Sequence, residues 1–212
     1  LDISHISMSD EDWNSFFNKL DLLPGGKIVE LKWNDNLIDK HFISFINSFD
    51  LRTLSLDGCS ARNDDDLLEL HQFIANTKTI ENLSFAGTEL RKMRKQILTI
   101  IDTLYFNRSI KKINVSNHNC GNSILNKLCD VLLANRVIDE ISFDNNNIND
   151  IHLYEHFLDT MLKRGKPLYI EFPNNFIKSM YQYGDIGNDE IAKIKNLYNS
   201  VILGNSQIKI PK

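Results

Sequence analysis

The chain has 212 residues, 42% of them hydrophobic, and its 28 acidic and 24 basic residues give a net charge of −4. This length fits one domain with a continuous core, and the negative charge argues against a general nucleic-acid-binding protein. No stretch approaches the roughly 18 apolar residues of a membrane span, so membrane association is not expected.

The dominant feature is a repeat in which three apolar residues stand at positions 1, 4 and 6 of a short segment. The third apolar residue recurs at steps of 30, 23, 29, 30, 28 and 29 residues, starting from Ile3 in a truncated first copy. Each copy predicts one β-strand, and each step leaves room for a helix that returns the chain to the next strand. The six full copies are, in chain order, Ile28, Leu31 and Trp33; Leu51, Leu54 and Leu56; Ile80, Leu83 and Phe85; Ile110, Ile113 and Val115; Ile138, Ile141 and Phe143; and Pro167, Ile170 and Phe172.

Helices are predicted between the strands, because apolar residues there follow helical spacing. A turn at Pro24–Gly26 delays the second strand, and the short step between Trp33 and Leu56 predicts a shorter helix in that repeat. The predicted helices lie near residues 9–20, 39–48, 64–76, 89–106, 122–134 and 150–163.

The repeat pattern stops after Ile177. Residues 178–187 are polar, a helix is predicted over 188–203, and the alternation at Ile208 and Ile210 predicts a short strand. The end of a stack of such repeats exposes hydrophobic core residues and an unpaired strand edge, so a capping segment is expected there. The predicted organisation is therefore leucine-rich repeats over 1–177, with a truncated first repeat, and a C-terminal capping segment over 178–212.

Two further signatures accompany the repeat. Three residues beyond each third apolar residue stands a side chain that is expected to lie buried under the turn and to bind loop backbone groups. Asn76, Asn107, Asn135 and Gly165 precede the next strand, where Asn and Gly are expected to close a helix in the left-handed conformation. The first set, hereafter the slot residues, comprises Asn36, Cys59, Thr88, His118, Asn146 and Asn175.

These signatures resemble the ribonuclease-inhibitor-like subclass of leucine-rich repeat proteins over about residues 1–177. The junctions at Asn107 and Asn135 resemble the branch that contains tropomodulins and the CARMIL capping-protein regulators. The resemblance implies an α/β solenoid: a right-handed arc of about seven repeats with a parallel inner sheet and outer helices. It also implies non-catalytic binding of another protein, and the branch implies a role in actin-cytoskeleton regulation. No segment resembles the capping-protein-binding segment of the CARMIL group, which lies outside its repeats.

The concave face of the predicted sheet is the first candidate for partner binding. Its solvent-facing residues are mostly small and polar, and only Tyr169 is the kind of aromatic anchor on which interfaces usually depend. The predicted contact residues are Lys32, Ser55, Asn82, Ser84, Lys112, Asn114, Glu140, Ser142, Tyr169 and Glu171.

The second candidate is the basic rim, which comprises Arg91, Lys92, Arg94 and Lys95. One interpretation is that it forms salt bridges with Asp64–Asp66 of the adjacent repeat and is otherwise solvated surface. The other is that it steers an acidic partner, such as an actin surface or an anionic lipid headgroup. In that interpretation Lys111, Lys112 and Arg108 are expected nearby.

Metal and enzyme chemistry find little support in the sequence. His118 and Cys59 occupy slot positions two repeats apart, about 10 Å, which is too far to share an ion. His152 and His156 share a predicted helix face, but no third ligand accompanies them. Because the chain also has no phosphate-binding loop, nucleophile elbow or paired-carboxylate motif, it is predicted to be non-catalytic and without a cofactor or metal.

The sequence leaves several alternatives open. The repeats could form the ligand-sensing part of a larger regulatory or innate-immune-type receptor, a GTPase-activating repeat protein, or a spacer whose contacts lie elsewhere. A homodimer paired through the first strand at Leu1–Ile3 is also possible. Three cysteines, an odd number, favour a cytoplasmic location. Because the chain starts inside a repeat without Met, it is expected to be cut from a longer protein.

Overall fold

The structure is a computed structural model that describes residues 1–6, 8–21 and 28–204. The predicted turn at Pro24–Gly26 and the predicted strand at Ile208 and Ile210 lie outside the described residues. In chain order, the elements are α1 (Asp10–Asp21), β1 (Glu30–Lys32), β2 (Leu37–Ile38), α2 (Lys40–Asn47), β3 (Thr53–Ser55), β4 (Ser60–Ala61), α3 (Asp64–Asn76), β5 (Asn82–Ser84), α4 (Gln96–Thr103), β6 (Lys112–Asn114), α5 (Ser123–Ala134), β7 (Glu140–Ser142), α6 (Ile151–Lys163), β8 (Tyr169–Ile170), α7 (Asn174–Gln182) and α8 (Asn188–Leu203).

The main sheet has six parallel strands in the order β1-β3-β5-β6-β7-β8. Its register pairs equivalent positions of adjacent repeats, so that the middle residue of each strand points into the core and its two neighbours point outward. The first copy of the repeat, at Leu1–Ile3, pairs as well, because Asp2 bridges Lys32 and the Ile3 N–H donates to the Lys32 carbonyl at 3.0 Å. These features confirm the predicted α/β leucine-rich repeat arc.

The core lies between the sheet and the helices. At its N-terminal end the packing is aromatic: the ring of Trp33 lies 4.4 Å from that of Phe42 and 4.5 Å from that of Trp13, measured between centroids. Helix α2 buries Phe42, Ile43, Phe45 and Ile46 on one face, and Asp39 caps its N-terminus through the Phe42 N–H. As predicted for the short step, α2 has only eight residues.

Helix α4 is shorter than the predicted helix over 89–106. The backbone turns at Thr88, whose N–H donates to the Arg91 carbonyl at 2.8 Å and whose hydroxyl accepts the Arg91 N–H at 3.1 Å. Arg94 then adopts a left-handed φ of 50°, which cannot continue a helix. Residues 89–95 therefore form a loop, and the helix begins only at Gln96.

Helix α7 covers Asn174–Gln182 and so enters the polar segment 178–187, for which the sequence predicts no particular element. The boundary predicted at residue 177 falls inside this helix, so the division into repeats and cap remains a prediction. Helix α8 packs against α6 and against β8, the last strand of the sheet. Tyr198 donates its hydroxyl to the Ile170 carbonyl at 2.8 Å, which occupies an edge acceptor of β8.

The slot residues form a buried ladder, as predicted. Asn36, Cys59, His118 and Asn146 each donate to the carbonyl of the third apolar residue in the preceding repeat: Ile3, Trp33, Phe85 and Val115. Thr88 departs from this pattern because it holds the Arg91 turn, and the side chain of Asn175 lies outside the described part. His118 uses both ring nitrogens, since Nδ1 accepts the Met93 N–H at 3.1 Å. The ring is therefore neutral with its proton on Nε2, and burial lowers the pKa of His118.

The predicted left-handed conformation is wrong for all three helix-end asparagines, Asn76, Asn107 and Asn135. Asn135 has φ −101° and is fully buried; its amide donates to the carbonyls of Leu104 (2.6 Å) and Asn107 (2.9 Å). Asn107 likewise donates to the carbonyls of Ile74 and Thr77, so the side chains of Asn107 and Asn135 bind the preceding turn instead of permitting an unusual backbone. Asn76 lies on the exposed end of α3, and only Gly165, with φ 69°, is left-handed.

The position in register with Asn135 in the next repeat is Arg164. This arginine is buried and donates to the carbonyls of Leu132, Asn135 and Ile138. The register thus runs Thr77, Asn107, Asn135 and Arg164, each three residues before the next strand's first apolar residue.

Candidate protein-binding surfaces

The concave face brings the predicted contact residues onto one surface. Side chains on both sides of each buried middle residue are partly or fully exposed. A shallow depression of about 280 Å³ crosses the four central strands β3, β5, β6 and β7. Between β6 and β7, Lys112 Nζ lies 2.6 Å from Glu140 Oε2, and this contact raises the pKa of Lys112.

Hydrogen bonds fix the small polar side chains of this face. Ser84 donates to Asp57 Oδ1 at 2.5 Å, and Ser55 donates to Asn34 Oδ1 at 2.7 Å. Asp57 Oδ1 also accepts the Ala86 N–H at 2.7 Å. This part of the concave face is therefore polar and preorganised, and the hydroxyl groups of Ser55 and Ser84 bond within the protein.

Asp144 repeats the position of Asp57 without its donors. The residue that matches Ala86 in the next repeat is Pro173, which has no N–H, and the residue that matches Ser84 is Glu171. No other described residue donates a hydrogen bond to the Asp144 carboxylate. Burial, with the charge of Glu171 as a second cause, raises the pKa of Asp144 to about 6. Tyr169, 56% exposed, lies at this same C-terminal end of the face.

The basic rim is exposed, and the described residues provide no carboxylate partner for it. Arg91 donates to the Asp35 carbonyl at 2.6 Å, whereas Lys92, Arg94 and Lys95 form no ion pair with any described residue. The interpretation of salt bridges to Asp64–Asp66 is wrong for this part of the chain.

The three aspartates instead begin helix α3. Asn63 caps that helix, and the carboxylate of the buried Asp66 accepts the Lys40 N–H at 3.0 Å.

The expected proximity of Arg108, Lys111 and Lys112 to the basic rim is also wrong. In parallel repeats every strand begins at one edge of the sheet and ends at the other. The basic rim follows the end of β5, whereas Arg108 and Lys111 precede the start of β6. Lys111 is paired there with Glu81 at 2.9 Å, which lowers the pKa of Glu81.

Two surface features were missed by the sequence analysis. A cleft of about 630 Å³ lies beside the basic rim and is bordered by Leu90, Trp33 and Leu37. At the edge of the sheet where the strands begin, hereafter the strand-start edge, Tyr105 and Phe106 are exposed. Helical spacing predicts a helix over both residues, but α4 ends before them. Their aromatic character was the available signal, but the sequence did not show that α4 ends at Thr103.

The described chain offers little nucleophilic or metal-binding chemistry. Within residues 1–6, 8–21 and 28–204, no group of three or more His, Cys, Asp or Glu side chains could hold a metal ion. Burial raises the pKa of Cys59 to about 12 and the pKa values of Cys120 and Cys129 to about 11. These thiols stay protonated and are poor nucleophiles at neutral pH. No described helix is long and apolar enough to cross a membrane.

Comparison with known proteins supports the fold. No protein-family model and no curated protein matches the chain. Among solved structures that match is a chain described as "Leiomodin-1 Actin-Binding Site 2 (ABS2)", at 13% sequence identity and a TM-score of 0.50. The match covers 92% of this chain and 89% of that chain. At this identity the likeness shows a shared leucine-rich repeat-like arc.

Proposed function

We propose that this chain is a non-catalytic protein-interaction module whose concave sheet holds a partner protein. The observation that carries the proposal is the continuous polar surface across six parallel strands, with Ser55 and Ser84 held by internal hydrogen bonds. Such a preorganised surface loses little side-chain entropy on binding. Small residues there also allow the backbone of a partner to approach closely.

A protein fits this surface better than a small molecule. The depression on the concave face is shallow and lined by small polar groups around Asn82, Ser84 and Asn114. Sites for small molecules are usually enclosed pockets with mostly apolar walls. The exposed Tyr169 at one end supplies the kind of anchor that protein interfaces use.

The size of the sheet indicates that the partner also contacts a rim. Five strand spacings of about 4.8 Å and strands of three residues give a face of roughly 24 by 10 Å. A stable interface covers about 800 Å² on each partner, which is several times larger. The basic rim, with Leu90 at 95% exposure in the same loop, is the proposed second contact.

Actin is the specific partner that we propose to test first. Two observations support it: the resemblance of the repeat junctions to the tropomodulin branch, and the shared fold with a structure described as an actin-binding site of leiomodin-1. The basic rim would face the acidic residues of such a partner.

The test combines co-sedimentation with purified filamentous actin and affinity capture from a lysate of the source cells. The double variant Ser84→Arg and Asn114→Arg places two bulky cations on the concave face. The matched control, Gln72→Arg and Asn126→Arg, adds the same charges to the exposed face of α3 and α5. The proposal expects one partner to be lost from the first variant and retained by the control.

Equal binding by both variants would contradict a concave binding site. Capture of a partner other than actin, lost from the concave variant, would support the module and overturn only the actin assignment.

A further inference from the structure

The turns at the strand-start edge carry an exposed apolar knob. Phe106 is 71% exposed and Tyr105 is 46% exposed, and their rings pack edge to face with centroids 5.2 Å apart. Helix α4 ends at Thr103, so both residues stand on a turn. Exposed aromatic residues that are already packed against each other are typical anchors of protein interfaces.

The repeat register extends this knob into a row. Tyr105 stands two residues before Asn107, and Leu133, which is 43% exposed, stands two residues before Asn135. The Asn135 amide donates to the carbonyls of Leu104 and Asn107 and so joins the two turns. Helices of adjacent repeats lie about 8–10 Å apart, so Tyr105 and Leu133 offer neighbouring apolar contacts.

A row of cations runs beside the apolar row. Lys78, Arg108 and Arg136 directly follow Thr77, Asn107 and Asn135, and all three are exposed. The strand-start segments 48–52, 77–81, 104–111, 135–139 and 164–168 contain seven Lys and Arg, of which Arg164 is buried, and three Asp and Glu. Lys78 and Arg136 form no ion pair with a described residue, and Arg108 donates only to the carbonyls of Tyr105 and Asn107.

We propose that this strand-start edge binds a short acidic segment of a partner protein that also carries apolar side chains. The acidic side chains would contact Lys78, Arg108 and Arg136, and the apolar ones would cover Tyr105, Phe106 and Leu133. Two repeat spacings of at most about 10 Å can be crossed by six or seven extended residues at about 3.3 Å each. The site therefore calls for a short linear motif and is separate from the concave face.

Charge favours a peptide over an anionic membrane at this edge. Each cation near an acidic lipid surface contributes about 1 kcal/mol, so three give only marginal attraction. A flat bilayer would also approach Asp139 and Asp50, which lie in segments of the same edge, on a chain of net charge −4. A narrow peptide can follow the cation row and avoid these carboxylates.

The experiment is selection of short random peptides displayed on phage against the purified chain, followed by fluorescence polarisation with the most enriched peptide. Two variants remove the site: Tyr105→Ser with Phe106→Ser, and Lys78→Glu with Arg136→Glu. Two matched controls change exposed residues outside both candidate surfaces: Leu68→Ser on α3, and Lys178→Glu on α7 with Lys195→Glu on α8. Thermal unfolding of every variant checks that surface changes leave the fold intact.

The proposal expects enriched peptides to combine acidic and apolar residues, and each site variant to weaken their binding by about thirtyfold. The matched controls should leave the affinity within about twofold. Three outcomes would overturn the proposal: enrichment of no peptide, enriched peptides without acidic residues, or equal binding by site and control variants. Binding to phosphatidylserine vesicles that is lost in the Tyr105→Ser, Phe106→Ser variant, without peptide binding, would instead identify a membrane surface.

Discussion

Replacement of Asn135 by Ala tests the physical role of the helix-end ladder. The Asn135 side chain is fully buried, donates to the carbonyls of Leu104 and Asn107, and accepts the Val137 N–H at 2.9 Å. The Ala variant leaves three backbone groups without these partners. An unsatisfied buried group costs about 1–3 kcal/mol, and partial relaxation reduces the sum, so we expect a loss of about 3 kcal/mol.

For a chain of this length, that loss corresponds to a decrease in Tm of roughly 6–12 °C. The assay is thermal and urea unfolding followed by circular dichroism. The matched control is Asn76→Ala, because Asn76 is exposed and its amide bonds only to Gln72 within the same helix, at 2.8 Å. The control should change stability by less than about 0.5 kcal/mol. Equal effects of the two substitutions would refute a ladder that depends on the buried side chain.

Three further predictions concern ionisable side chains. Asp144→Asn should raise stability by about 1 kcal/mol at pH 7 and have no effect near pH 4. The reason is that the raised pKa of Asp144 costs the folded state stability as pH rises from about 4 to 6. Urea unfolding at the two pH values measures this difference, and an effect that does not depend on pH would contradict it. The His118 ring should show the Nε2–H tautomer by ¹⁵N NMR and a pKa below that of a free histidine. Stability should therefore fall as pH decreases below about 6.5, because the unfolded chain takes up the proton first. A His118 ring that titrates at or above about 6.5 would contradict a buried neutral ring. Arg164→Lys should destabilise the fold by about 2–4 kcal/mol, because one ammonium group cannot reach the three carbonyls that the guanidinium binds, and an unchanged urea midpoint would refute this role.

The strands and the core were predictable because each is specified many times over. The apolar triplets recur in phase, so a strand that is ambiguous in one repeat can be placed from the neighbouring repeats. The slot residues then follow at a fixed distance from each triplet. Leu83 and Ile113 are the middle residues of paired parallel strands, and the repeated pattern places both in the core. The concave residues follow from the same alternation, although their role in binding remains a proposal.

The return segments were harder to predict because local backbone chemistry decides them. Helix α4 starts late since the Thr88 hydroxyl and the left-handed Arg94 hold a loop, and neither feature alters apolar periodicity. Helix α7 was missed because its apolar residues Phe176, Ile177 and Met180 were separated by a boundary placed at residue 177. The fourth helix-end position was assigned to Gly165 instead of Arg164. Arg164 differs from asparagine in size and charge, although both side chains donate to carbonyls of the preceding turn.

The measurement that most directly tests the binding proposal is site-specific photo-crosslinking in a lysate of the source cells. A benzophenone side chain would replace Asn114 on the concave face in one sample and Asn126 on the exposed side of α5 in another. We expect a discrete protein adduct from position 114 that Ser84→Arg abolishes, with no matching adduct from position 126. An adduct at position 126 together with none at position 114 would contradict a partner held by the concave sheet.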